Sequence, residues 1–255
     1  MKISVLTVCY NSEKTIRDTI SSVLSQKNVE IEYIVIDGGS SDRTCEIISE
    51  YSDRICYFSS EQDFGVYDAF NKGIKYCCGD VLSILNSDDV FHDENVLFDI
   101  VSAFRETKAD IIMGDLVYVK RNNLMKIERV WCCGPFTKGG FVKGWHPPHP
   151  AFFVTQKIYS EHLSFDLNYK FAADFVAMHH LLEIKKFESR YINRTCVKMR
   201  LGGLTSKNLH NVWLGNLEIF RYLGEQSREF SPIKYLFKRL GPKFFDRLRQ
   251  KFYSR

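Results

Sequence analysis

The first 105 residues alternate short apolar segments with amphipathic segments four times, and this alternation constrains the fold most. The apolar segments, which predict strands, are residues 3–8, 33–36, 55–59 and 81–85. The segments that follow them carry apolar residues at helical spacing, beginning near residues 12, 42, 66 and 96. Because parallel strands need crossover connections, this order predicts an α/β fold with a mainly parallel central sheet flanked by helices. In such a sheet, ligands bind at the carboxyl ends of the strands.

Polar side chains follow each of these four predicted strands, and acids follow three of them. The segments are Cys9-Tyr10-Asn11, Asp37-Gly38-Gly39, Glu61-Gln62-Asp63 and Asn86-Ser87-Asp88-Asp89. Adjacent carboxylates such as Asp88 and Asp89 repel each other, so a fold that holds both at a strand end usually places a cation or a strong donor there. An acidic edge of this kind would repel a phosphate ligand unless a divalent cation lay between them. The alternative is a polar turn that caps a helix.

The pattern changes after about residue 107. Residues 111–119 and 126–131 predict two strands of a hairpin, joined by a turn at residues 121–123. A glycine-rich loop, residues 134–144, precedes Trp145-His146-Pro147-Pro148-His149-Pro150. The prolines there predict an extended backbone and no helix, so His146 and His149 lie on a stiff loop that serves a site or only packs. Helix is expected again near residue 155 and over residues 172–182, where Asp174 stands among apolar residues. It is a candidate general base, or a helix cap.

The composition is that of an ordinary soluble globular protein. Hydrophobic residues make up 45% and charged residues 26% of the sequence. Its length of 255 residues is enough for one large domain, alone or with an appendage. The sequence contains no run of eighteen apolar residues and begins without the layout of a signal peptide. Its eight cysteines form neither a CxxC pair nor a secreted framework, so we expect reduced thiols in a cytoplasmic protein rather than a zinc site.

The net charge of +4 is concentrated in the last 23 residues. Residues 233–255 hold eight basic residues and one acid, a charge of +7, which leaves −3 for residues 1–232. Apolar side chains alternate with these charges at near-helical spacing, and Gly241-Pro242 divides the segment into two short helices. Such helices favour an anionic membrane surface. The alternative is a terminal helix that packs on the domain. No nucleic-acid-binding motif accompanies the charge, so nucleic acid is not an expected partner.

Three segments together carry a resemblance to a known family. ISVLTVCYNSEKTIRDTISSVLSQ, YIVIDGGSSDRT and DFGVYDAFNKGIKYCCGDVLSILNSDD closely resemble family 2 glycosyltransferases of the GT-A fold, especially those that build bacterial surface polysaccharides of the O-antigen or capsule type. The match covers residues 1–115, with weaker echoes in HPPHPAFF, AADF and GGLTS. The resemblance implies a GT-A domain over residues 1–232 and a C-terminal helical extension over residues 233–255. Residues 1–115 would bind the nucleotide sugar and residues 116–232 the acceptor.

The resemblance also implies a role for individual residues. Asp37 is similar to the acid that contacts the nucleotide base, and Asp68 to a second acid of the nucleotide site. Asp89 is the first expected ligand of Mn²⁺ or Mg²⁺, and Asp88 the second ligand or a ribose contact. Asp174 resembles the catalytic base, although Ala173 stands where the family usually has an acid. Further expected site residues are, for the nucleotide, Thr7, Cys9, Tyr10, Asn11 and Asn86; for the metal or diphosphate, His149 and, less so, His146; and for a flexible loop over the donor, residues 202–206.

The function implied is an inverting, metal-dependent transfer of a sugar, with UDP as the nucleotide that family members most often use. The implied acceptor is a lipid-diphosphate-linked oligosaccharide, so we expect a peripheral protein on the inner face of the cytoplasmic membrane. A catalytically silent nucleotide-sugar-binding subunit would lack the base or the metal acid, yet Asp174 and Asp89 are both present. A nucleotidyltransferase would need a glycine-rich basic loop after the first strand, and residues 9–12 are not one. The sequence leaves the donor sugar, the linkage and a possible homo-oligomer open.

Overall fold

The computed structural model describes residues 1–203, 209–227 and 230–238. The strands are β1 (Lys2–Cys9), β2 (Glu30–Asp37), β3 (Tyr57–Ser60), β4 (Val81–Ile84), β5 (Val90–Phe91), β6 (Ile111–Lys120), β7 (Asn123–Trp131), β8 (Phe152–Thr155) and β9 (Ser189–Arg200). The α-helices are α1 (Ile16–Leu24), α2 (Thr44–Ser49), α3 (Val66–Ile74), α4 (Val96–Thr107), α5 (Gln156–Glu161), α6 (Ala173–His179) and α7 (Leu209–Gln226). Short 3-10 turns cover Phe141–Lys143 and His149–Ala151, a π-helical turn covers His180–Ile184, and residues 232–238 are helical.

The strands form one sheet in the order β3-β2-β1-β4-β8-β6-β9-β5, with β7 paired to β6. Strands β1 to β4 are parallel to one another, as the alternating sequence predicted. Strand β8 inserts antiparallel between β4 and β6, whereas β6 and β9 are parallel. The predicted α/β fold is therefore confirmed, with a parallel amino-terminal half inside a mixed sheet.

Hydrophobic residues cover both faces of the sheet. Along β1, Ile3 and Val5 join a cluster that includes α1 and α4, whereas Leu6 and Val8 join a cluster that includes α3 and α6. All four are at most 5% exposed. A strand buried on both faces is apolar at consecutive positions, which explains the apolar runs in the first half of the sequence.

The β6–β7 hairpin is confirmed, although β7 begins at Asn123, before the predicted residue 126. The proline-rich run departs from expectation. Pro148 is extended, but His149–Ala151 forms a 3-10 turn, so the prediction of no helical geometry is wrong for those three residues. Pro150 lies at the start of that turn, where a missing N–H costs no hydrogen bond.

The carboxyl-terminal described segment packs on α7. Tyr235, in the helical residues 232–238, is fully buried, and its ring lies 5.6 Å from Phe220 and 5.9 Å from Phe230. This packed segment crosses the predicted boundary between residues 232 and 233. The remainder of the predicted basic helices, residues 239–255, lies outside the described residues. Within the described part, no helix is long and apolar enough to cross a membrane.

Candidate active site

The loops that follow β1, β2 and β4 meet at one edge of the sheet. The backbone N–H of Asn11 donates to Ser40 Oγ at 2.7 Å, and Asn11 Oδ1 accepts the Ser41 N–H at 2.9 Å. The hydroxyls of Ser12 and Ser87 lie 2.8 Å apart and join the loop after β1 to the loop after β4. The grouping predicted from the parallel strand order is therefore present.

Asp37 organises the loop after β2. Its buried carboxylate accepts hydrogen bonds from the Ser40 N–H at 2.8 Å and from Ser60 Oγ at 2.7 Å. The thiols of Cys9 and Cys45 also point at it, at 3.4 and 3.3 Å. Burial alone would raise the pKa of Asp37, but these donors hold that pKa below its ordinary value. The expected contact between Asp37 and a nucleotide base stays a prediction.

The first-strand residues differ in their access to this edge. Thr7 is fully buried and accepts a hydrogen bond from the Tyr33 hydroxyl at 3.2 Å, so it lies beneath the surface and could support a nucleotide pocket only from below. Cys9 is also buried, and burial raises the pKa of its thiol above the ordinary value. Tyr10 is 64% exposed, and Asn11 adopts a left-handed φ of 48°. Of the four, Tyr10 and Asn11 are the residues available to a ligand.

Asp68 lies on the first turn of α3. Its carboxylate accepts the Phe64 N–H at 3.1 Å and pairs with Lys72 Nζ at 3.1 Å. Burial would raise the pKa of Asp68, but the Phe64 N–H and the Lys72 ammonium lower it below the ordinary value. Asp68 is therefore ionised at neutral pH, and its role toward a nucleotide stays a prediction.

The two adjacent acids after β4 face different surroundings. Asp89 is fully buried, and its carboxylate accepts hydrogen bonds from Asn86 Nδ2 at 3.1 Å and from the Arg200 N–H at 3.2 Å. Burial, and then the neighbouring Asp88, raise the pKa of Asp89 well above its usual range. Asp88 is only half-buried. Gly203 lies near its carboxylate, since a Cβ added to Gly203 would be 3.5 Å from Asp88 Oδ2. Asp88 is thus the less buried of the two acids. The expected order, with Asp89 as the first metal ligand and Asp88 as the second, stays a prediction.

Arg200, at the end of β9, holds this turn in place and was not anticipated from the sequence. Its side chain is 4% exposed and donates to the carbonyl oxygens of Asp88 at 2.8 Å and of Arg121 at 3.1 Å. It also pairs with the Asp18 carboxylate. The partners are up to 182 residues away in sequence, so no local pattern could have revealed them.

Asp174 lies on the first turn of α6 and borders a cavity with apolar walls. Its Oδ1 accepts the Tyr67 hydroxyl at 3.0 Å and the Phe175 N–H at 2.8 Å. The cavity is lined by Asp174, His149, Leu82, Ile84, Phe152, Val154, Leu163, Phe165, Ala177 and Met178. The mainly apolar walls agree with the apolar neighbours of Asp174 in the sequence. Its role as a general base stays a prediction.

His149 belongs to the surroundings of Asp174. Its ring meets Phe70 edge-on at 5.3 Å, and its buried Nε2 has no hydrogen-bond partner among the described residues. Burial lowers the pKa of His149, and the Asp174 carboxylate offsets this only in part, so the neutral imidazole is favoured. His146 packs edge-on against Trp131 at 4.9 Å. The part of the chain that the structure describes holds no group of three or more metal-ligating side chains. The expected role of His149 and His146 toward a metal or a diphosphate stays a prediction.

The sequence matches the family model described as glycosyl transferase family 2 over residues 4–155. One relative is the uncharacterized glycosyltransferase Rv1514c of Mycobacterium tuberculosis, 33% identical over 174 residues, which are 68% of this chain and 65% of that protein. Another is poly-β-1,6-N-acetyl-D-glucosamine synthase of Staphylococcus epidermidis, 36% identical over 131 residues, which are 50% of this chain and 32% of that protein. The chain thus spans less than two thirds of the length of these curated relatives.

Two solved structures share the fold. Residues 1–349 of Staphylococcus aureus TarS, in complex with UDP-GlcNAc, align with a TM-score of 0.69 at 17% identity, covering 94% of this chain and 73% of that one. The mannosyltransferase PcManGT of Pyrobaculum calidifontis, in complex with GDP-Man and Mn²⁺, aligns with a TM-score of 0.64 at 15% identity, covering 92% and 68%. At these identities the likeness establishes the GT-A fold alone. Since the family model covers more than half of the residues, the chain belongs to glycosyl transferase family 2.

Proposed function

We propose that the chain is an inverting glycosyltransferase that moves a sugar from a nucleotide sugar, UDP-linked in our proposal, to a hydroxyl group, with Mn²⁺ or Mg²⁺ as cofactor. The observation that carries the proposal is the meeting of the loops after β1, β2 and β4, the last of which carries the half-buried Asp88. This is the edge at which parallel α/β sheets bind ligands. Proteins of the same fold have been solved with UDP-GlcNAc, GDP-Man and Mn²⁺, which supports the substrate class and the cofactor.

The residues at this edge fit a hard divalent cation. Mg²⁺ and Mn²⁺ prefer oxygen ligands, and Mg²⁺ is often bound by one or two carboxylates together with substrate phosphates. Asp88 offers a half-buried carboxylate, while the described residues hold no group of three or more metal-ligating side chains. Such a site needs the donor diphosphate to complete it. We therefore assign the ligand role to Asp88 and give Asp89, whose oxygens are buried and hydrogen-bonded, the role of holding the turn.

Asp174 is the proposed base. The acceptor oxygen attacks C1 of the donor sugar, the bond from C1 to the diphosphate breaks with its electron pair, and the acceptor proton passes to the Asp174 carboxylate. A single displacement of this kind inverts the anomeric centre. A bound cation supplies stabilisation of the charge that develops on the diphosphate. A positioned carboxylate base contributes about 10²- to 10⁴-fold to the rate.

The acceptor we propose is a lipid-diphosphate-linked saccharide at the inner face of the cytoplasmic membrane, in the synthesis of a surface polysaccharide. Residues 233–255 carry eight basic residues against one acid, which suits an anionic lipid surface. At the described start of this segment, Ile233 and Phe237 are 69% and 75% exposed, beside the exposed Lys234 and Lys238. These residues would lie against lipid while Tyr235 anchors the segment to α7.

Turnover of a donor panel tests the activity. Release of the nucleotide from UDP-GlcNAc, UDP-glucose, GDP-mannose, dTDP-rhamnose and CMP-sialic acid is measured with Mn²⁺, with EDTA and with Asp174→Asn, beside thermal shifts with each nucleotide. We expect one donor class to turn over, with loss of turnover in EDTA and in Asp174→Asn. A folded protein that binds a nucleotide but turns over no donor would favour the silent subunit, and one that binds none would overturn the proposal.

Flotation on liposomes tests the location separately. The full chain is compared with a chain that ends at residue 238, which keeps Tyr235 and its contacts with Phe220 and Phe230. We expect the full chain to float with liposomes that contain anionic lipid and the shortened chain to float much less. Equal flotation of both would show that residues 239–255 do not bind the membrane.

A further inference from the structure

Tyr67 connects the proposed donor half of the molecule to the proposed base. It lies on the first turn of α3, next to Asp68, and its hydroxyl donates to Asp174 Oδ1 on α6 across 107 residues of sequence. Its ring stacks on Phe165 at 5.6 Å and tilts against Phe70 at 6.1 Å, so the side chain has little freedom. Burial, and then the Asp174 charge, raise the pKa of Tyr67 well above its usual range, so the hydroxyl keeps its proton and acts as a donor.

The hydrogen bonds distinguish the two oxygens of Asp174. Those that the described residues make to its carboxylate, from the Tyr67 hydroxyl and from the Phe175 N–H, both fall on Oδ1. A carboxylate oxygen that already accepts two hydrogen bonds is the poorer proton acceptor, because its lone pairs are engaged. Oδ2 is then the oxygen left to take the proton of the acceptor hydroxyl.

The backbone that carries Asp174 is fixed from a second side. The Glu218 carboxylate on α7 accepts the N–H groups of Lys170, Phe171 and Ala172 at 3.0, 2.8 and 3.0 Å. These bonds fix the start of α6 but do not touch the Asp174 side chain. Among the described residues outside α6, Tyr67 is the one whose hydrogen bond opposes rotation of the Asp174 carboxylate.

We propose that Tyr67 is a positioning residue for the base: its hydroxyl fixes the Asp174 carboxylate so that Oδ2 faces the acceptor. This inference rests on the proposed function, in which Asp174 receives the acceptor proton. In the step itself, the acceptor O–H bond breaks, its proton binds Oδ2, the oxygen bonds to C1, and the nucleoside diphosphate leaves with the electron pair. Tyr67 transfers no proton and touches no substrate.

The variant Tyr67→Phe removes the hydroxyl and keeps the ring. We expect kcat to fall about 10- to 100-fold, the size of effect that follows from losing a hydrogen bond to a charged group, while the donor KM stays within about twofold. The matched control is Tyr191→Phe, which removes a hydroxyl that donates to the buried Asp115 Oδ2 at 2.9 Å. That control should leave kcat unchanged. Activity is followed as nucleotide release from the same donor panel.

A double variant tests whether Tyr67 acts through Asp174, and the fall in kcat at an unchanged donor KM separates positioning from a merely structural role. If Tyr67 acts through Asp174, the losses in Tm of Tyr67→Phe and Asp174→Ala are not additive in the double variant, because Asp174→Ala already removes the acceptor of the Tyr67 hydroxyl. A kcat of wild-type size in Tyr67→Phe, with Asp174→Asn inactive, overturns the positioning role alone. An additive loss of Tm in the double variant also overturns the positioning role, and this measurement needs no substrate. Wild-type activity of Asp174→Asn would overturn the base assignment and the inference together.

Discussion

Replacing Arg200 by methionine should loosen the turn that carries Asp88 while leaving the fold intact. Methionine fills similar space but cannot donate to the carbonyl oxygens of Asp88 and Arg121, which Arg200 reaches at 2.8 and 3.1 Å. Each such bond contributes about 1 kcal/mol. The pair with Asp18, whose side chain is 52% exposed, adds no more than about 1 kcal/mol. The free energy of unfolding should therefore fall by about 2–3 kcal/mol.

The larger consequence concerns ligand binding, because the Asp88 carbonyl loses the partner that fixes its position. We expect the affinity for UDP with Mn²⁺, measured by calorimetry, to fall about tenfold or more, in line with the sensitivity of sites to small displacements. Urea unfolding gives the stability of the same samples. Arg200→Lys keeps the positive charge but loses the planar guanidinium with its several N–H donors. Its affinity for UDP with Mn²⁺ should lie between those of the wild type and Arg200→Met.

The control is a second arginine of the same strand. Arg194 pairs with Asp99 at 2.8 Å and with Asp93 at 2.6 Å, and its side-chain hydrogen bonds to the described residues go to Asp99, Asp93 and Thr195 rather than to Asp88. Arg194→Met should lower stability but bind UDP and Mn²⁺ as the wild type does. Wild-type affinity in a folded Arg200→Met, or an equal loss of affinity in both variants, would refute the reasoning.

Two further predictions concern the fold. Gly73→Ala should destabilise the protein by about 1–3 kcal/mol in urea unfolding, because its Cβ would overlap Leu6 Cδ1, whereas Gly224→Ala in α7 meets no atom within 4 Å and should be neutral or stabilising. Glu32 is the second case: burial would raise its pKa, but hydrogen bonds from neighbouring donors and the Lys2 ammonium lower that pKa to about 2. A lowered pKa stabilises the fold fully above the unfolded value of about 4.3, and the contribution, about 3 kcal/mol, is lost as pH falls toward 2. Glu32→Gln should therefore be less stable than the wild type at pH 7 and nearly equal to it near pH 2; an equal difference at both pH values would contradict this.

The parallel half of the fold could be predicted because each of its elements has a local signature. Burial on both faces makes most positions of β1, β2 and β4 apolar, and the crossover helices carry apolar residues at helical spacing. The insertion of β8 between β4 and β6 could not be predicted, because a four-residue strand gives no signal of its partners. Likewise, the proline run predicted an extended chain but not the 3-10 turn at its end.

The site was predictable at the level of segments rather than of individual side chains. The sequence grouped Asn11, Asp37 and Asp88 at one edge, and the structure brings their loops together. It could not tell which of the adjacent Asp88 and Asp89 is accessible, because a turn has no fixed periodicity. The contacts of Tyr67 with Asp174 and of Arg200 with Asp88 span 107 and 112 residues, so they depend on the assembled fold.

The measurement that tests the central claim most directly is the thermal shift of the protein with UDP, in Mn²⁺ and in EDTA, for the wild type, Asp88→Asn and Asp89→Asn. We predict a shift in the wild type that needs the cation, worth about 2.7 kcal/mol when UDP is at about 100 times its Kd. The part of the shift that depends on the cation should disappear in Asp88→Asn and persist in Asp89→Asn. A shift that persists in Asp88→Asn and disappears in Asp89→Asn would contradict the assignment of the ligand. A wild-type shift that is equal in Mn²⁺ and EDTA would contradict the proposed role of the cation.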